Sequence, residues 1–521
     1  SSSSGGASGG GSSSGSGSSS DNGDSSGSTV VERPDQTKPE IPTTSQTKPA
    51  TPDKNGNTSI DGNAVQDAIN KATADAKKNG TTANGIAVTV PIQNAADAKN
   101  LSITIKAQTL DKLVTAKARR FEIITNGLPS FGFTLDTLKM LNAQSKGGDL
   151  ILRVSKAAVT SAEAKAAIGT RPVYEFSLVD GKEAPLTDWQ GKTVSVKLPY
   201  TPAANEQAGN LYAAYVDGNG KVQWLTKSSY DADQKAVIFE AAHFSIYGVG
   251  YKNPVPNFTD INGHWAKEHI LFTVSRGLFS GTSETTFSPN TTLTRGMFVT
   301  ALGRLAGINP ADYQTRKFTD VKADAYYAPY VNWAVSKGIV SGTTSTTFAP
   351  DSNITREQMA VIMKNYADKM GYSIPKTLEA VTFADNAQIS SWAKDAVKAM
   401  QQAGVLSGKT DNRFDPQGNA TRAEAATVLH RFVEIVIDPQ SANGWQQNDS
   451  GEWSYYKDGK PVKGWLSDDQ KWYWLDKATG KMFSGGWKQI DGKWYYFYAD
   501  GSMAVSTKVD GYEVGADGAR R

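Results

Sequence analysis

The strongest constraint on the fold is an internal repeat that runs from Phe258 to about Phe432. Three blocks begin at Phe258, Phe318 and Phe383. Each has F-x-D, an aromatic residue, a helix ending in G-x-x-S-G, F-x-P, and a Thr-Arg that opens a second helix. Repeats of this length are supersecondary units that bury a continuous core only by packing on one another. We therefore expect the blocks to fold together as an all-α, pseudo-threefold bundle and not singly.

The second helix of each block has one apolar stripe, which begins three residues after the arginine. Thr294, Thr355 and Thr421 stand where a threonine oxygen can accept a hydrogen bond from an orphan backbone N–H. Gln358 and Glu424, three residues further on, complete capping boxes in the second and third blocks. The stripe residues are Phe298, Ala301, Leu302 and Leu305; Met359, Ile362, Met363 and Tyr366; and Ala425, Val428, Leu429 and Phe432. These patterns predict one capped helix per block, buried along one face.

Helix capping does not account for the arginines that follow the threonines. Arg295, Arg356 and Arg422 place a positive charge in the first helical turn, where the helix dipole disfavours a cation. Free N–H groups, the dipole and a guanidinium together favour a carboxylate or phosphate, so the arginines predict anion sites. The alternative is that each arginine pairs with the aspartate of an F-x-D motif. Those aspartates are Asp260, Asp320 and Asp385.

The F-x-D, W-A-K, G-x-x-S-G, F-x-P and T-R-A-E series resembles the S-layer homology family, from about Asn257 to Val436. The resemblance implies a three-pronged trimer of repeats that attaches a secreted protein non-covalently to pyruvylated secondary cell-wall polysaccharide. It also implies that the ligand's ketal carboxylate lies near the motif arginine, in grooves between repeats. Besides the arginines, the implied binding residues are Asp260, Asp320, Asp385, Trp265, Tyr326, Trp392, Gly281, Gly342 and Gly408.

The three blocks depart unequally from the family pattern. The first has Met297 where the family has glutamate, the second has Gln358, and only the third carries T-R-A-E in full. Tyr326 replaces the expected tryptophan in the second block. We therefore expect unequal grooves, at least one of them weak or silent, and we expect Arg422 to be the most informative arginine to test.

A second repeat, of shorter period, fills residues 441–521. Gly-Trp pairs alternate with aromatic clusters and Asp-Gly turns, which predicts β-hairpins stacked into a solenoid. The pattern resembles the choline-binding or cell-wall-binding repeat family, in which a quaternary ammonium is held between hairpins by cation–π attraction. The candidate residues are Trp453, Trp465, Trp472, Trp474, Trp487 and Trp494. The alternative is that they only stack hairpins, and the sequence leaves open choline or another wall glycan as ligand.

Residues 58–252 contain short segments that alternate with period two, which predicts a mainly-β, sandwich-like domain with at least one helix, at 63–78. Near its end, His243-Phe244-Ser245 resembles the self-cleavage site of ZU5-type surface domains. The resemblance implies autoproteolysis, with His243 as base and the Ser245 Oγ attacking the Phe244 carbonyl. The ordinary alternative is a terminal strand.

Composition excludes several classes of function. Lys plus Arg, at 55, nearly cancels Asp plus Glu, at 52, so no bulk charge is available to hold nucleic acid. The chain has no cysteine, no apolar run long enough for a membrane helix, and no histidine pair with metal-ligand spacing. We expect no cofactor, no metal and no catalytic role for residues 253–521.

We interpret the chain as a multidomain, secreted anchor at a Gram-positive cell wall or S-layer. Its predicted parts are a disordered Ser/Gly segment and a stiff Pro/Thr linker (1–57), the β domain (58–252), repeats at 253–317, 318–378 and 379–440, and the aromatic hairpins (441–521). An alternative is the C-terminal anchoring part of an exported carbohydrate-active hydrolase, whose catalytic module lies upstream of Ser1. A third is a purely structural, array-forming protein.

Overall fold

The computed structural model describes residues 37–93 and 100–521. The segment predicted to be disordered, residues 1–29, lies outside the described residues. We call residues 58–252 the β domain, 253–317, 318–378 and 379–440 repeats one, two and three, and 441–521 the tail.

The β domain, together with residues 43–46 and 57 of the preceding segment, forms two seven-stranded sheets that share one apolar core. The helices are α1 (Gly62–Lys78), α2 (Ala107–Thr115), α3 (Leu135–Ser145) and α4 (Ala162–Ile168). The strands are β1 (Thr43–Gln46), β2 (Asn57–Ile60), β3 (Ile86–Ile92), β4 (Asn100–Ile105), β5 (Arg120–Thr125), β6 (Ser130–Thr134), β7 (Leu150–Lys156), β8 (Val173–Asp180), β9 (Val194–Pro199), β10 (Leu211–Val216), β11 (Val222–Leu225), β12 (Ser228–Asp231), β13 (Ala236–Ala241) and β14 (Ile246–Tyr251). One sheet has the order β1-β3-β5-β6-β9-β13-β12 and the other β11-β10-β14-β8-β7-β4-β2. The predicted sandwich of mainly β structure is confirmed.

The Pro/Thr-rich segment differs from the predicted stiff spacer in its described part, residues 37–57. Strand β1 lies inside it and pairs in parallel with β3, with Thr43 opposite Ile86. Glu40 forms an ion pair with Lys376 of repeat two, with 2.8 Å between the Glu40 Oε1 and the Lys376 Nζ. The run Thr43–Gln46 contains no proline and occupies a sheet edge, where neighbouring prolines are tolerated. This part of the segment is therefore a component of the fold.

Each repeat contributes two helices to a shared core. They are α5 (Lys267–Ser275) and α6 (Arg295–Ala306), α7 (Ala328–Ser336) and α8 (Arg356–Lys369), and α9 (Lys394–Gln402) and α10 (Arg422–Ile437). Thr294, Thr355 and Thr421 cap α6, α8 and α10, and the two predicted capping boxes are present. All of the predicted stripe residues are buried, at 5% exposure or less.

The segments just before α6, α8 and α10 meet in a closed ring. The N–H of Ile354 donates to the carbonyl of Leu293, the N–H of Ala420 to that of Ile354, and the N–H of Leu293 to that of Ala420, each over 2.9 Å. Each repeat therefore contacts both of the others, and repeat three closes back onto repeat one. The three repeats share one core, and that a single repeat does not fold alone stays a prediction.

The β domain is fixed to the repeats through α5 and α10. Arg276 donates to the carbonyls of Leu211 and Ser228, over 3.1 and 2.6 Å. Asp438, just after α10, forms ion pairs with Arg120 and Lys197 over 3.4 and 3.0 Å. Burial opposes ionisation of Asp438, but Lys197 and Arg120 outweigh it and hold its pKa below the ordinary value. The Ser229 Oγ of β12 donates to Glu434 of α10 over 3.0 Å, and α10 is buried along nearly its whole length.

The tail forms successive β-hairpins. Its strands are β15 (Gly444–Gln447), β16 (Trp453–Lys457), β17 (Lys460–Pro461), β18 (Gly464–Asp468), β19 (Lys471–Leu475), β20 (Gly486–Ile490), β21 (Lys493–Phe497), β22 (Thr507–Val509) and β23 (Tyr512–Val514). The antiparallel pairs are β15-β16-β17, β18-β19, β20-β21 and β22-β23. The predicted hairpins are confirmed, and Asp458 and Asp491 stand in the predicted turns with positive φ.

Candidate anion-binding grooves

Each motif arginine leaves its own helix and enters the neighbouring repeat. Its Nε donates to the phenylalanine carbonyl of that repeat's F-x-P motif, and its Nη2 donates to the serine carbonyl of the G-x-x-S-G motif. The partners are Phe348 and Ser341 for Arg295, Phe414 and Ser407 for Arg356, and Phe287 and Ser280 for Arg422. The guanidinium carbons lie 4.6, 5.0 and 4.4 Å from the centroids of the same phenylalanine rings. The arginines thus join the ring of repeats.

The F-x-D aspartates do not pair with the motif arginines within the described residues. Asp260 accepts from the backbone N–H groups of Phe287 and Ser288, over 2.9 and 2.7 Å. Asp320 and Asp385 hold the F-x-P loops of their own repeats in the same way. The alternative of an arginine–aspartate pair is therefore not what the structure has, because the carboxylates are occupied by backbone donors.

The glycines of G-x-x-S-G pack against the phenylalanine of F-x-D. A Cβ on Gly281 would lie 2.5 Å from the Phe258 ring, and one on Gly342 would lie 2.6 Å from the Phe318 ring. Gly408 stands in the same relation to Phe383, at 3.0 Å. These glycines are needed because a side chain at their positions would collide with the phenylalanine ring.

The third residue after each threonine faces the arginine of the preceding repeat. The Arg356 Nη1 donates to Glu424 over 3.1 Å, and the Arg295 Nη1 reaches Gln358 at 3.5 Å. Because repeat three closes the ring onto repeat one, we expect Met297 of repeat one to take the corresponding position beside Arg422. The complete T-R-A-E motif of repeat three therefore neutralises Arg356 and not its own arginine.

A second polar position, nine residues after the motif arginine, completes each groove. Arg304, Asn365 and Arg431 occupy it in α6, α8 and α10. The Arg304 Nη1 donates to the Leu278 carbonyl over 3.2 Å, two residues from the carbonyl that Arg422 contacts. Burial raises the pKa of Tyr326, and Arg304 and Arg422 are near enough to oppose that rise.

We name the Arg422, Arg295 and Arg356 grooves after their motif arginines.

The Arg356 groove contains a carboxylate from the tail. The Asp449 Oδ2 lies 2.9 Å from the Arg356 Nη2, and its Oδ1 lies 2.9 Å from both the Arg431 Nη1 and the Ser407 Oγ. Arg356 is fully buried, whereas Arg295 and Arg422 remain 7% and 6% exposed. No carboxylate lies within ion-pair distance of Arg295 or Arg422 in the described part of the chain.

The pKa values of the three arginines follow this difference. Burial lowers the pKa of Arg295 and of Arg422, and only more distant acidic groups oppose it. Burial also acts on Arg356, but Asp449 and Glu424 lie beside it and raise its pKa above the ordinary value. Two guanidinium groups are therefore partly desolvated without an acidic partner, which is costly unless an anion binds.

The predicted groove aromatics also differ in exposure. Tyr326 and Trp392 are 55% and 57% exposed. Trp265 is half-buried beneath Gly451 of the tail, where an added Cβ would lie 2.9 Å from the Trp265 Cβ. The aromatic surface is thus open in repeats two and three and covered in repeat one.

The tail aromatics form clusters between consecutive hairpins. The Trp465 ring centroid lies 6.3 Å from that of Trp472 and 4.9 Å from that of Tyr495, on the next hairpin. Trp474 is buried and serves the hairpin core, whereas Trp453, Trp472 and Trp494 are exposed. Trp487 lies 5.9 Å from Tyr512. Trp445, which was not among the predicted residues, lies 4.8 Å from Tyr473, and its place in a Gly-Trp pair was the signal in the sequence.

The His243-Phe244-Ser245 stretch lies between β13 and β14. The Phe244 ring packs against Phe131 and Trp189, with centroids 5.6 and 4.8 Å away. The His243 ring lies 4.8 Å from the Tyr215 ring, and no hydrogen bond joins it to Ser245 within residues 37–93 and 100–521. The base–nucleophile contact that autoproteolysis needs is therefore not formed, and Phe244 anchors the domain core.

The described residues offer no cluster of three or more His, Asp or Glu side chains that could hold a metal ion. None of the helices in residues 37–93 and 100–521 combines the length and the apolar character needed to cross a membrane.

Comparison with protein families identifies both kinds of repeat. The model of the S-layer homology domain matches residues 257–296, 317–360 and 382–426. The model of the cell wall binding repeat matches residues 463–482 and 485–503. The chain therefore carries three S-layer homology repeats followed by cell wall binding repeats.

The chain is similar to several curated bacterial proteins. It is 34% identical over 213 residues to an amylopullulanase of Thermoanaerobacterium thermosulfurigenes, covering 41% of this chain and 11% of the relative. It is 29% identical over 186 residues to the surface-layer 125 kDa protein of Lysinibacillus sphaericus, covering 34% and 15%. The chain thus spans only a small part of these relatives. CbpJ of Streptococcus pneumoniae TIGR4 shares 40% identity over 15% of this chain and 27% of that chain, with a TM-score of 0.15.

The repeats of both kinds locate the chain at the cell surface, where it anchors to the cell wall.

Proposed function

We propose, on the premise of three S-layer homology repeats and a wall-binding tail, that the chain attaches its protein to pyruvylated secondary cell-wall polysaccharide. The three repeats act as a pseudo-threefold trimer whose grooves receive the polymer. The ketal carboxylate of a pyruvylated sugar binds the motif arginine, and the sugar ring lies against the groove aromatic. The observation that carries this proposal is the contrast between Arg422, which has no acidic partner in the described residues, and Arg356, which has two.

The Arg422 groove is the leading polymer site. Arg422 and Arg304 border the same turn of repeat one, and Tyr326 stands beside them with an exposed ring. The Arg422 Nη1 has no hydrogen-bond acceptor in the described residues, so it can donate to a ligand oxygen. A carboxylate there would receive charge-assisted hydrogen bonds from a preorganised donor. The Arg295 groove, with Trp392, is the second site and has one cation fewer.

Direct titration of purified polymer into the full chain tests this function. The matched control is the same polymer after acid hydrolysis of its ketals, which removes the carboxylates and leaves the sugar chain. We expect binding of the pyruvylated form alone. Replacing Arg295, Arg356 and Arg422 by alanine, singly and together, should weaken binding about ten-fold or more at each occupied site. Equal affinity for both polymer forms would overturn the proposed ligand.

We propose choline or another wall glycan as the ligand of the tail. Exposed tryptophans meet tyrosines of the next hairpin, which offers a quaternary ammonium several aromatic faces. Calorimetric titration of choline into the full chain and into Trp465→Ala tests this. Saturable binding that Trp465→Ala weakens supports choline. Failure of both chains to bind choline would leave the wall glycan as the tail ligand to titrate next.

A second candidate function is anchoring of a carbohydrate-active hydrolase. Relatives of the repeat region include proteins named amylopullulanase and exoglucanase, of which this chain matches 11% and 16%. Sequencing the coding region upstream of Ser1 tests this candidate. A catalytic module in the same reading frame supports it, and an immediately preceding secretion signal contradicts it.

A further inference from the structure

The Arg356 groove contains a carboxylate of the chain itself, that of Asp449. Asp449 receives hydrogen bonds from Arg356, Arg431 and Ser407, so both of its carboxylate oxygens are used. Its backbone N–H donates to the Gly408 carbonyl over 3.2 Å. The Asp449 carboxylate therefore lies between Arg356, the motif arginine of repeat two, and Arg431, which follows the motif arginine of repeat three by nine residues.

The charges in this groove are balanced within the fold. Arg356 and Arg431 face Asp449 and Glu424, and the four side chains are exposed by 6% or less. Lys409 also pairs with Glu424, over 3.3 Å, and its charge is offset by Asp415, at 2.9 Å. Burial opposes ionisation of Asp449, but Arg356 and Arg431 outweigh it and hold its pKa below the ordinary value. A second, external carboxylate would add an uncompensated negative charge to a dry site.

The loop that carries Asp449 has a shape fitted to the groove. The Asn448 side chain accepts from the backbone N–H groups of Ser450 and Glu452, over 3.0 and 2.9 Å, and closes the turn. Gly451, at φ +82°, lies directly on Trp265. The loop thus covers both parts of the groove, the cationic pair and the aromatic, whereas the corresponding surfaces at Tyr326 and Trp392 are exposed.

The Arg422 groove has the same two cations without an internal partner. Arg422 and Arg304 hold the positions that Arg356 and Arg431 hold around Asp449, and Ser280 corresponds to Ser407. Because a carboxylate fits the two cations of the Arg356 groove, we expect the Arg422 groove to accept the carboxylate of an external ligand.

We propose that loop 448–451 is an internal ligand of the Arg356 groove, with Asp449 in the place of the polymer's carboxylate. The full chain then offers at most two grooves to the polymer. This inference rests on the proposed function and adds to it the number and identity of the available sites. The loop follows α10 within the same chain, so its effective concentration at the groove is high and an external carboxylate competes poorly.

Calorimetric titration of a short, singly pyruvylated polymer fragment into the full chain tests the proposal. The variants are Asp449→Ala and Asp449→Asn, which vacate or neutralise the internal carboxylate. The matched control is Asp491→Asn, at the exposed tip of a later hairpin, where its carboxylate pairs with Lys477 over 3.4 Å. We expect one additional binding site per chain in the Asp449 variants and no change in the control.

A double variant assigns the additional site. Arg356→Ala placed in the Asp449→Ala chain should remove the new site and leave wild-type stoichiometry. Retained affinity at the Arg422 groove shows that each variant is folded. Unchanged stoichiometry in both Asp449 variants, with the wild type still binding, overturns the internal ligand and leaves the proposed function intact. Failure of every chain to bind the fragment overturns the proposed function and this assignment with it.

Discussion

The Arg356 and Arg422 grooves have the same design and differ in what stands beside the guanidinium. Arg356 is enclosed by Glu424 and Asp449. At Arg422, closure of the ring puts Met297 in the position of Glu424, and no carboxylate pairs with Arg422 among the described residues. The same motif therefore serves the fold in one groove and remains available to a ligand in the other. An arginine of this motif cannot be assigned to binding or to stability without knowing its neighbours across the ring.

The largest expected difference between the two grooves is in stability. Arg356→Ala removes the buried guanidinium that Glu424 and Asp449 share, which should lower the free energy of unfolding by about 3–5 kcal/mol. Arg422→Ala removes hydrogen bonds to two backbone carbonyls and should cost about 1–3 kcal/mol. Urea denaturation of the two variants measures the difference. Equal losses would contradict the distinction between a neutralised and an open arginine.

Acid should weaken the Arg356 groove in the unmutated chain, because protonation of Asp449 removes its negative charge. The pKa of Asp449 is lower in the folded chain than in the unfolded chain. Its contribution is therefore complete above the ordinary carboxyl pKa of about 3.9 and is lost as the pH falls below it. We expect the backbone amides of residues 449–451 to exchange hydrogen faster, relative to the intrinsic rate, below about pH 4. In Asp449→Asn this change should be absent, and an equal acid response there would exclude Asp449 as its cause.

A single substitution can make the Arg422 groove resemble the Arg356 groove. Met297→Glu places a carboxylate where Glu424 stands beside Arg356 and completes the capping box of α6. Because Arg422 then has an internal partner, affinity for the pyruvylated polymer should fall about ten-fold. Met297→Gln, which copies repeat two, is the neutral control and should change affinity less. Titration of the polymer measures both, and undiminished binding by Met297→Glu would place the polymer elsewhere.

The smallest expected effect concerns the second cation of the open groove. Arg304 is exposed, so its interaction with a ligand carboxylate is screened by water and is worth up to about 1 kcal/mol. Arg304→Ala should therefore weaken polymer binding about two- to five-fold. Arg316→Ala removes another arginine of repeat one and should have no effect. If the two variants behaved alike, Arg304 would not belong to the site.

The second helices of the repeats and the turns of the tail followed from the sequence because their signals are local. The stripe of Phe298, Ala301, Leu302 and Leu305, the threonine caps and the Asp-Gly turns depend on residues a few positions apart. The partners of the motif arginines cannot be predicted from such local signals, since Arg422 contacts Phe287 and Ser280 at the other end of the repeat region. The role of Asp449 was also hidden, because it depends on how the tail docks. The offset shared by Arg304 and Arg431 was visible in the sequence and was the signal that could have revealed the second cation.

The closed hydrogen-bond ring among Leu293, Ile354 and Ala420 has a mechanical consequence. In a linear array, tension applied at one terminus peels the units off in turn, and each rupture is an independent, small event. In a ring every unit is held by two neighbours, so pulling at either terminus loads several junctions in parallel. The repeats should therefore rupture as one unit at high force, and a tethered load would be held until the whole ring opens.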